Sequence, residues 1–244
     1  MESSAADLTS RFLRHERAIL TAAIALLAAL GWWFLAAGGG MDGMAGMAGM
    51  RPGFAELLVM WWVMMAAMML PSAIPAVLLY AKARSARSDA KVAASWLFLL
   101  GYVFAWLGFS VAAALATSLL GNHHMAVGNR YAEAALLIAA GAYQLSPLKN
   151  ACLRQCRSPA QLISRHWRAG NWGAVRLGLL HGLYCIGCCW MLMALLFVGG
   201  VMNLALVALL TALVAAEKLL PNGRAVARIS GVTLLAAGIA LSFL

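Results

Sequence analysis

The sequence predicts an all-α fold, a polytopic membrane helical bundle of about seven transmembrane helices with its N-terminus cytoplasmic. Three observations predict it. Charged residues make up 11% of the 244 and hydrophobic ones 64%, whereas a soluble domain carries about 25% charged residues. So few charges cannot coat a water-facing surface. Apolar runs of membrane-crossing length recur along the chain. The basic residues behind the formal net charge of +10 fall in short segments between those runs, where topology-setting charges belong. That placement excludes nucleic acid as a partner and makes the lipid bilayer the main one.

A crossing helix needs about 20 apolar residues. Taken in order, the runs lie at roughly 18–37, 54–80, 93–119, 131–147, 177–199, 203–220 and 229–244. The second and third are long enough to tilt, and the fourth and seventh are short. Residues 1–17 read as a cytoplasmic N-terminal segment. Residues 18–244 read as a single transmembrane domain with a Met-rich external loop at 38–53. With the N-terminus inside, only Arg51 and Arg130 of the 18 lysines and arginines fall outside, as the positive-inside rule requires. A secretory signal is the rival reading of the first run, because small residues follow at Ala36 to Gly40. The preceding stretch is long and carries Asp7 and Glu16, unlike a basic leader, so an uncleaved anchor is expected.

The five cysteines are Cys152, Cys156, Cys185, Cys188 and Cys189. None falls in an external segment, and structural disulfides belong to oxidising compartments. Thiols or metal ligands are therefore expected rather than bridges.

The fifth run carries the densest constellation. His181, Cys185, Cys189 and Met193 follow at intervals of four, with Cys188 three beyond Cys185. All five share an arc of about 140° on a helix. A thiolate or imidazole at membrane depth is costly unless paired. Binding a soft cation would offset that cost, and thiolate with thioether selects copper(I), zinc being the alternative for Cys and His. The competing reading is that neutral Cys is a small buried hydrophobe.

The second run is the methionine run, with Met60, Met64, Met65, Met68 and Met69 ahead of Pro71 and Pro75. Met60, Met64 and Met68 form one helical stripe, and Met65 with Met69 a second. Stacked thioethers could pass copper(I) along weak, exchangeable sites, although Met is also a flexible core filler. Depth along the two runs sets Met64 and Met65 level with Cys188. If these helices pack together, thioethers and thiols meet at mid-membrane. Pro71 and Pro75 interrupt the backbone ladder and are expected to open a kink beside the stripe.

Outside, Met41, Met44, Met47 and Met50 are spaced by three with Gly and Ala between. Such spacers bury nothing, so a loop that gathers a soft ion explains them better than packing; a low-complexity tether is the alternative. His123, His124 and Met125 form a second capture point on that face, or a merely solvated pair. Inside, Cys152 and Cys156 lie four apart, and Lys149, Arg154 and Arg157 are expected to favour their thiolate forms. That suits metal release or redox chemistry. Glu217 and Lys218 are expected to snorkel to the interface or to pair with each other.

Four stretches together, WWVMMAAMMLPSAIP, AYQLSPLKNACLRQCRSP, GLLHGLYCIGCCWMLMALLFVGGVMN and EKLLP, resemble a prokaryotic family of predicted metal-binding integral membrane proteins, domain of unknown function 2182. The resemblance covers roughly residues 54–240. It implies a multi-pass protein of the bacterial inner (cytoplasmic) membrane. It points to Met64, Met65, Met68, Met69, Cys152, Cys156, His181, Cys185, Cys188 and Cys189.

The leading expectation is a protein that binds, transports or delivers a soft metal ion, copper(I) before zinc. Its partners would be a cytoplasmic or periplasmic metallochaperone or a membrane oxidase. A non-catalytic assembly subunit of a membrane complex is the second reading. A membrane thiol–disulfide oxidoreductase is the third, disfavoured because its cysteines would have to face outside. No carboxylate pair, nucleophile–base arrangement or phosphate-binding motif stands out, so the chain does not read as an enzyme.

Overall fold

The computed structural model describes residues 2–38, 53–85, 93–120, 128–201 and 203–243. Among them there are helices and short turns and no strand. The helices are α1 (Glu2–Ala36), α2 (Phe54–Ser85), α3 (Ala93–Leu120), α4 (Arg130–Leu145), α5 (Pro147–Arg157), α6 (Pro159–His166), α7 (Gly170–Ala194), α8 (Leu196–Gly199), α9 (Leu204–Leu219) and α10 (Gly223–Phe243). The all-α, membrane-type bundle expected from composition is what forms. The external methionines Met41, Met44, Met47 and Met50, and the group His123, His124 and Met125, lie outside the described residues.

Among the described residues, five helices are long and apolar enough to cross a membrane: His15–Ala36, Phe54–Ser85, Ala94–Leu119, Gly170–Gly199 and Gly223–Phe243. The other two expected crossings, α4 and α9, have 16 residues each. At about 1.5 Å per residue each spans about 24 Å, less than the hydrocarbon core of about 30 Å. For α4 the cause is local. The chain does not run out into an open loop after the fourth run; it breaks at Ser146 and continues as α5. Ser146 both ends α4, its N–H bonding Tyr143 O at 3.0 Å, and caps α5, its Oγ accepting from Lys149 N at 3.1 Å. Pro147 sits at the first position of α5, where its missing N–H costs nothing.

Two long helices begin earlier than the hydropathy suggests, α7 at Gly170 and α10 at Gly223. Their first turns carry Trp172, Arg176, Arg224 and Arg228, which continue the helix without reading as apolar. Neither Pro71 nor Pro75 ends α2, which runs unbroken to Ser85. Both prolines lie inside the helix. Beside the methionine stripe is a polar spot: Met69 O accepts from Ser72 Oγ at 2.9 Å and from Tyr102 Oη at 3.2 Å.

The closest pairings are α3 with α7, α4 with α10, and α2 with both α1 and α3. The α3–α7 seam is made by glycine. A Cβ on Gly178 would lie 1.9 Å from Phe98 O, and one on Gly101 2.1 Å from Val175 O. The two backbones touch, the small-residue packing that lipid favours between helices. This contact fixes α7 so that Cys185 faces Tyr102. At the base of α1, Arg84 donates to Glu16 Oε1 at 2.8 Å and Oε2 at 3.0 Å, and Ser95 Oγ to Glu16 Oε1 at 3.0 Å. A buried carboxylate so fully paired ties α1, α2 and α3 together.

Candidate metal centre

Cys185 lies in the middle of the bundle, 2% exposed. Its thiol sulfur is 2.9 Å from Lys218 Nζ and 3.1 Å from Tyr102 Oη. One helical turn on, Cys188 and Cys189 are also buried. Their thiols donate to Cys185 O at 3.0 and 2.9 Å, the back-bond that a helical side chain four residues on can make. The fifth-run thiols therefore do share a face, and that face looks into protein rather than lipid.

Cys152 and Cys156 on α5 join them. Because α5 folds back against α7, Cys156 Sγ lies 3.8 Å from Cys188 Sγ. Cys152 packs over Gly187, where a Cβ would come within 2.9 Å of its sulfur. The Tyr143 hydroxyl donates to Gly187 O on the same stretch. The expectation that flanking basic residues would favour these thiolates is overturned by where the charges go. Lys149 Nζ is held by Glu217 Oε2 at 2.6 Å and by Gln144 Oε1. Arg157 bonds Glu217 O and Pro221 O at 3.3 and 2.7 Å.

Glu217 and Lys218 neither snorkel nor pair with each other. Glu217 joins Lys149 and Gln144, and Gln144 also reaches Ser230 Oγ at 2.7 Å. Lys218, a step round the helix, points the other way, to Cys185, to Ser72 Oγ at 3.2 Å and to Met69 Sδ at 3.6 Å. Both side chains are buried at the C-terminal end of α9, Glu217 against Lys149 of α5 and Lys218 against α2 and α7.

Met69 is thus the thioether linked to Cys185, through the Lys218 ammonium that both contact. The helices α2 and α7 are bridged there by the Lys218 side chain and by Tyr102, which touches both Met69 O and Cys185 Sγ. Met60, Met64, Met65 and Met68 are all buried along α2, as is Met193 on α7. Among the described residues none of these five has a hydrogen bond to a thiol. His181 lies between Phe98 and Tyr102, with ring centroids 6.0 and 5.7 Å away. Its Nδ1 is buried with no hydrogen-bond partner. An orphaned buried nitrogen costs about 1–3 kcal/mol, and a ligand would satisfy it.

Among the described residues, no three His, Cys, Asp or Glu side chains converge in the geometry of a closed metal site. What exists is an open set: two thiol sulfurs in contact, two more within a turn, a thioether across a lysine and an unpartnered imidazole. Soft sulfur with imidazole is the donor chemistry for copper(I) or zinc and not for magnesium or calcium. Sequence reasoning missed Lys218, Tyr102 and Ser72 as neighbours of this set. An ionisable residue in an apolar run was the available signal for Lys218.

No curated protein and no solved structure matches the chain. One family model, described as PpoB2, copper chaperone, matches residues 58–241. The match covers every residue of the thiol and thioether group above and begins after Met41, Met44, Met47 and Met50. It bears out a metal-related family, under the copper-chaperone description rather than that of the predicted metal-binding membrane proteins the motifs resemble. The chain belongs to the PpoB2 copper chaperone family.

Proposed function

We propose that the protein binds copper(I) inside the membrane and hands it on, as a membrane-embedded chaperone rather than an enzyme. One observation carries this reading: Cys156 and Cys188, from separate helices, hold their sulfurs 3.8 Å apart beside Cys185. Metal–thiolate bonds of about 2.3 Å meeting at a tetrahedral angle, the geometry of zinc, hold two sulfurs about 3.8 Å apart, and thiolate with thioether favours copper(I). His181 and Met69 supply further soft or borderline donors around them.

The ion is gathered by Met41, Met44, Met47 and Met50 and descends along Met60, Met64, Met65 and Met68 to Met69. Those thioethers are buried on one helix, about 6 Å apart per turn of four residues, and neutral sulfur binds without trapping. From Cys185 and Cys188 the ion passes to Cys156 and Cys152 on α5. A cavity of about 830 Å³ beside α5 is lined by Arg154, Arg157, Arg224 and Arg228. Such a basic vestibule repels a bare cation and favours an anionic acceptor. Release therefore goes to a thiol-bearing carrier on the cytoplasmic side of a bacterial inner membrane.

The test is metal analysis of protein purified under reducing conditions with copper supplied. Wild type should carry copper, and a variant with Cys185, Cys188 and Cys189 replaced by Ser should carry close to none. Equal, near-zero copper in both would end this reading. Zinc in place of copper would keep the site and change its cargo.

A further inference from the structure

We propose that Lys218 is a built-in competitor for the metal, holding the central sulfurs when the ion is away and speeding its departure when it is present. The inference rests on the copper reading above and adds to it a device for release.

Lys218 Nζ has three neighbours, Cys185 Sγ at 2.9 Å, Ser72 Oγ at 3.2 Å and Met69 Sδ at 3.6 Å. An ammonium has three N–H donors and no acceptor, so this set uses all of them. Two of the three acceptors are the sulfurs a soft ion would need. A lysine placed only to balance charge would be held by a carboxylate, as Lys149 is by Glu217. The carboxylate next to Lys218 in the chain is Glu217 itself, and it is turned to Lys149. The structure instead matches a cation to a thiol and a thioether at the centre of the bundle.

When copper(I) enters, the Cys185 S–H bond gives up its proton to water or to the carrier that brings the ion, a Cys185 Sγ–metal bond forms, and the N–H···S bonds to Cys185 and Met69 break. The ammonium keeps its protons and its contact with Ser72 Oγ. The bound ion takes up the negative charge of the thiolate, so the ammonium is left in a water-poor space without the sulfur partners it had. The site holds the ammonium or the metal comfortably, not both. Binding is weakened, and each departure is driven by the lysine returning to sulfur. A storage protein would be harmed by such a residue; a transfer protein needs one.

The test compares wild type with Lys218→Gln and Lys218→Arg, purified in detergent and loaded with one equivalent of copper(I). Affinity is read by competition with a copper(I) chelator, and release by stopped-flow transfer to it. Lys218→Gln, which removes the charge, should hold copper at least ten-fold more tightly and release it correspondingly more slowly. Lys218→Arg, which keeps the charge, should bind no more tightly than wild type. Equal or weaker binding by a folded Lys218→Gln overturns the proposal, since a lysine that merely supports the site would give that result. Should Lys218→Gln fail to fold, Lys218→Met decides. It removes the charge and keeps the apolar stem, so it too should bind copper more tightly, and an unchanged or weaker affinity counts against competition. Wild type that binds no copper sinks the functional reading itself; wild type that binds while these variants leave affinity unmoved sinks only the role of Lys218.

Discussion

Cys156 on α5 and Cys188 on α7 bring their sulfurs to 3.8 Å across 32 residues of chain. If both hold one ion, either Cys156→Ser or Cys188→Ser should lower the copper retained through desalting several-fold. The double variant should lose little more than the worse single one, because residues sharing one partner are not additive. Cys152, packed over Gly187 and farther from this contact, should matter less. Copper content per protein in the four variants checks it. Strictly additive losses would mean separate sites.

Methionine offers a second discrimination. Met69→Leu removes the thioether beside Lys218 and conserves volume, so stability should change by less than about 1.5 kcal/mol. Copper affinity should fall about ten-fold, or about 1.4 kcal/mol. Met60→Leu, nine residues up α2, should leave affinity intact and slow loading instead. Chelator competition, loading kinetics and thermal unfolding separate these effects.

The Lys149–Glu217 pair is almost fully buried, with the ammonium 2.6 Å from the carboxylate. Glu217→Gln leaves that ammonium uncompensated and should cost about 3–5 kcal/mol. The double substitution Lys149→Met with Glu217→Leu should recover most of it, as replacing a buried pair by apolar residues often does. Thermal unfolding of both variants and wild type in one detergent checks this.

The glycine seam predicts opposite signs for one substitution at two sites. Gly178→Ala drives a Cβ to 1.9 Å from Phe98 O, forcing α3 and α7 apart; it should destabilise by about 1–3 kcal/mol or more and lower copper retention. Gly108→Ala meets nothing within 4 Å and should stabilise α3 by about 0.5–1 kcal/mol. Unfolding midpoints report both.

The class of fold was legible because charge content alone forces a lipid solvent, and the run lengths then set most of the helices. The fifth-run thiols were legible for a similar reason: positions 181, 185, 188 and 189 share a face on any helix. What was not legible depends on how elements return to one another. Hydropathy ends the fourth run at residue 147 because Lys149, Asn150 and Arg154 follow. It cannot tell that these polar residues are met by Glu217, Ser146 and the cavity beside α10. Hence Cys152 and Cys156 read as loop residues, whereas they lie against Gly187 and Cys188. The same blindness covered Lys218. Its place near the end of an apolar run suggested an escape to the interface, and only the packing of α2 and α7 against α9 shows that it turns inward to Ser72, Met69 and Cys185. The depth comparison set Met64 and Met65 level with Cys188 from helix length alone, and could not show that Met69 shares the Lys218 ammonium with Cys185.

Ser146 carries a consequence for the spacing of the whole centre. A single residue there satisfies the end of one helix and the start of the next, so nothing between them can take up slack. Inserting or deleting one residue at that joint would turn α5 by about 100° about its axis. Both thiols and the Lys149 ammonium would swing off their partners in the same motion. The sulfur contact and the ion pair are thus set by one register, and a change of chain length at this point would abolish them together.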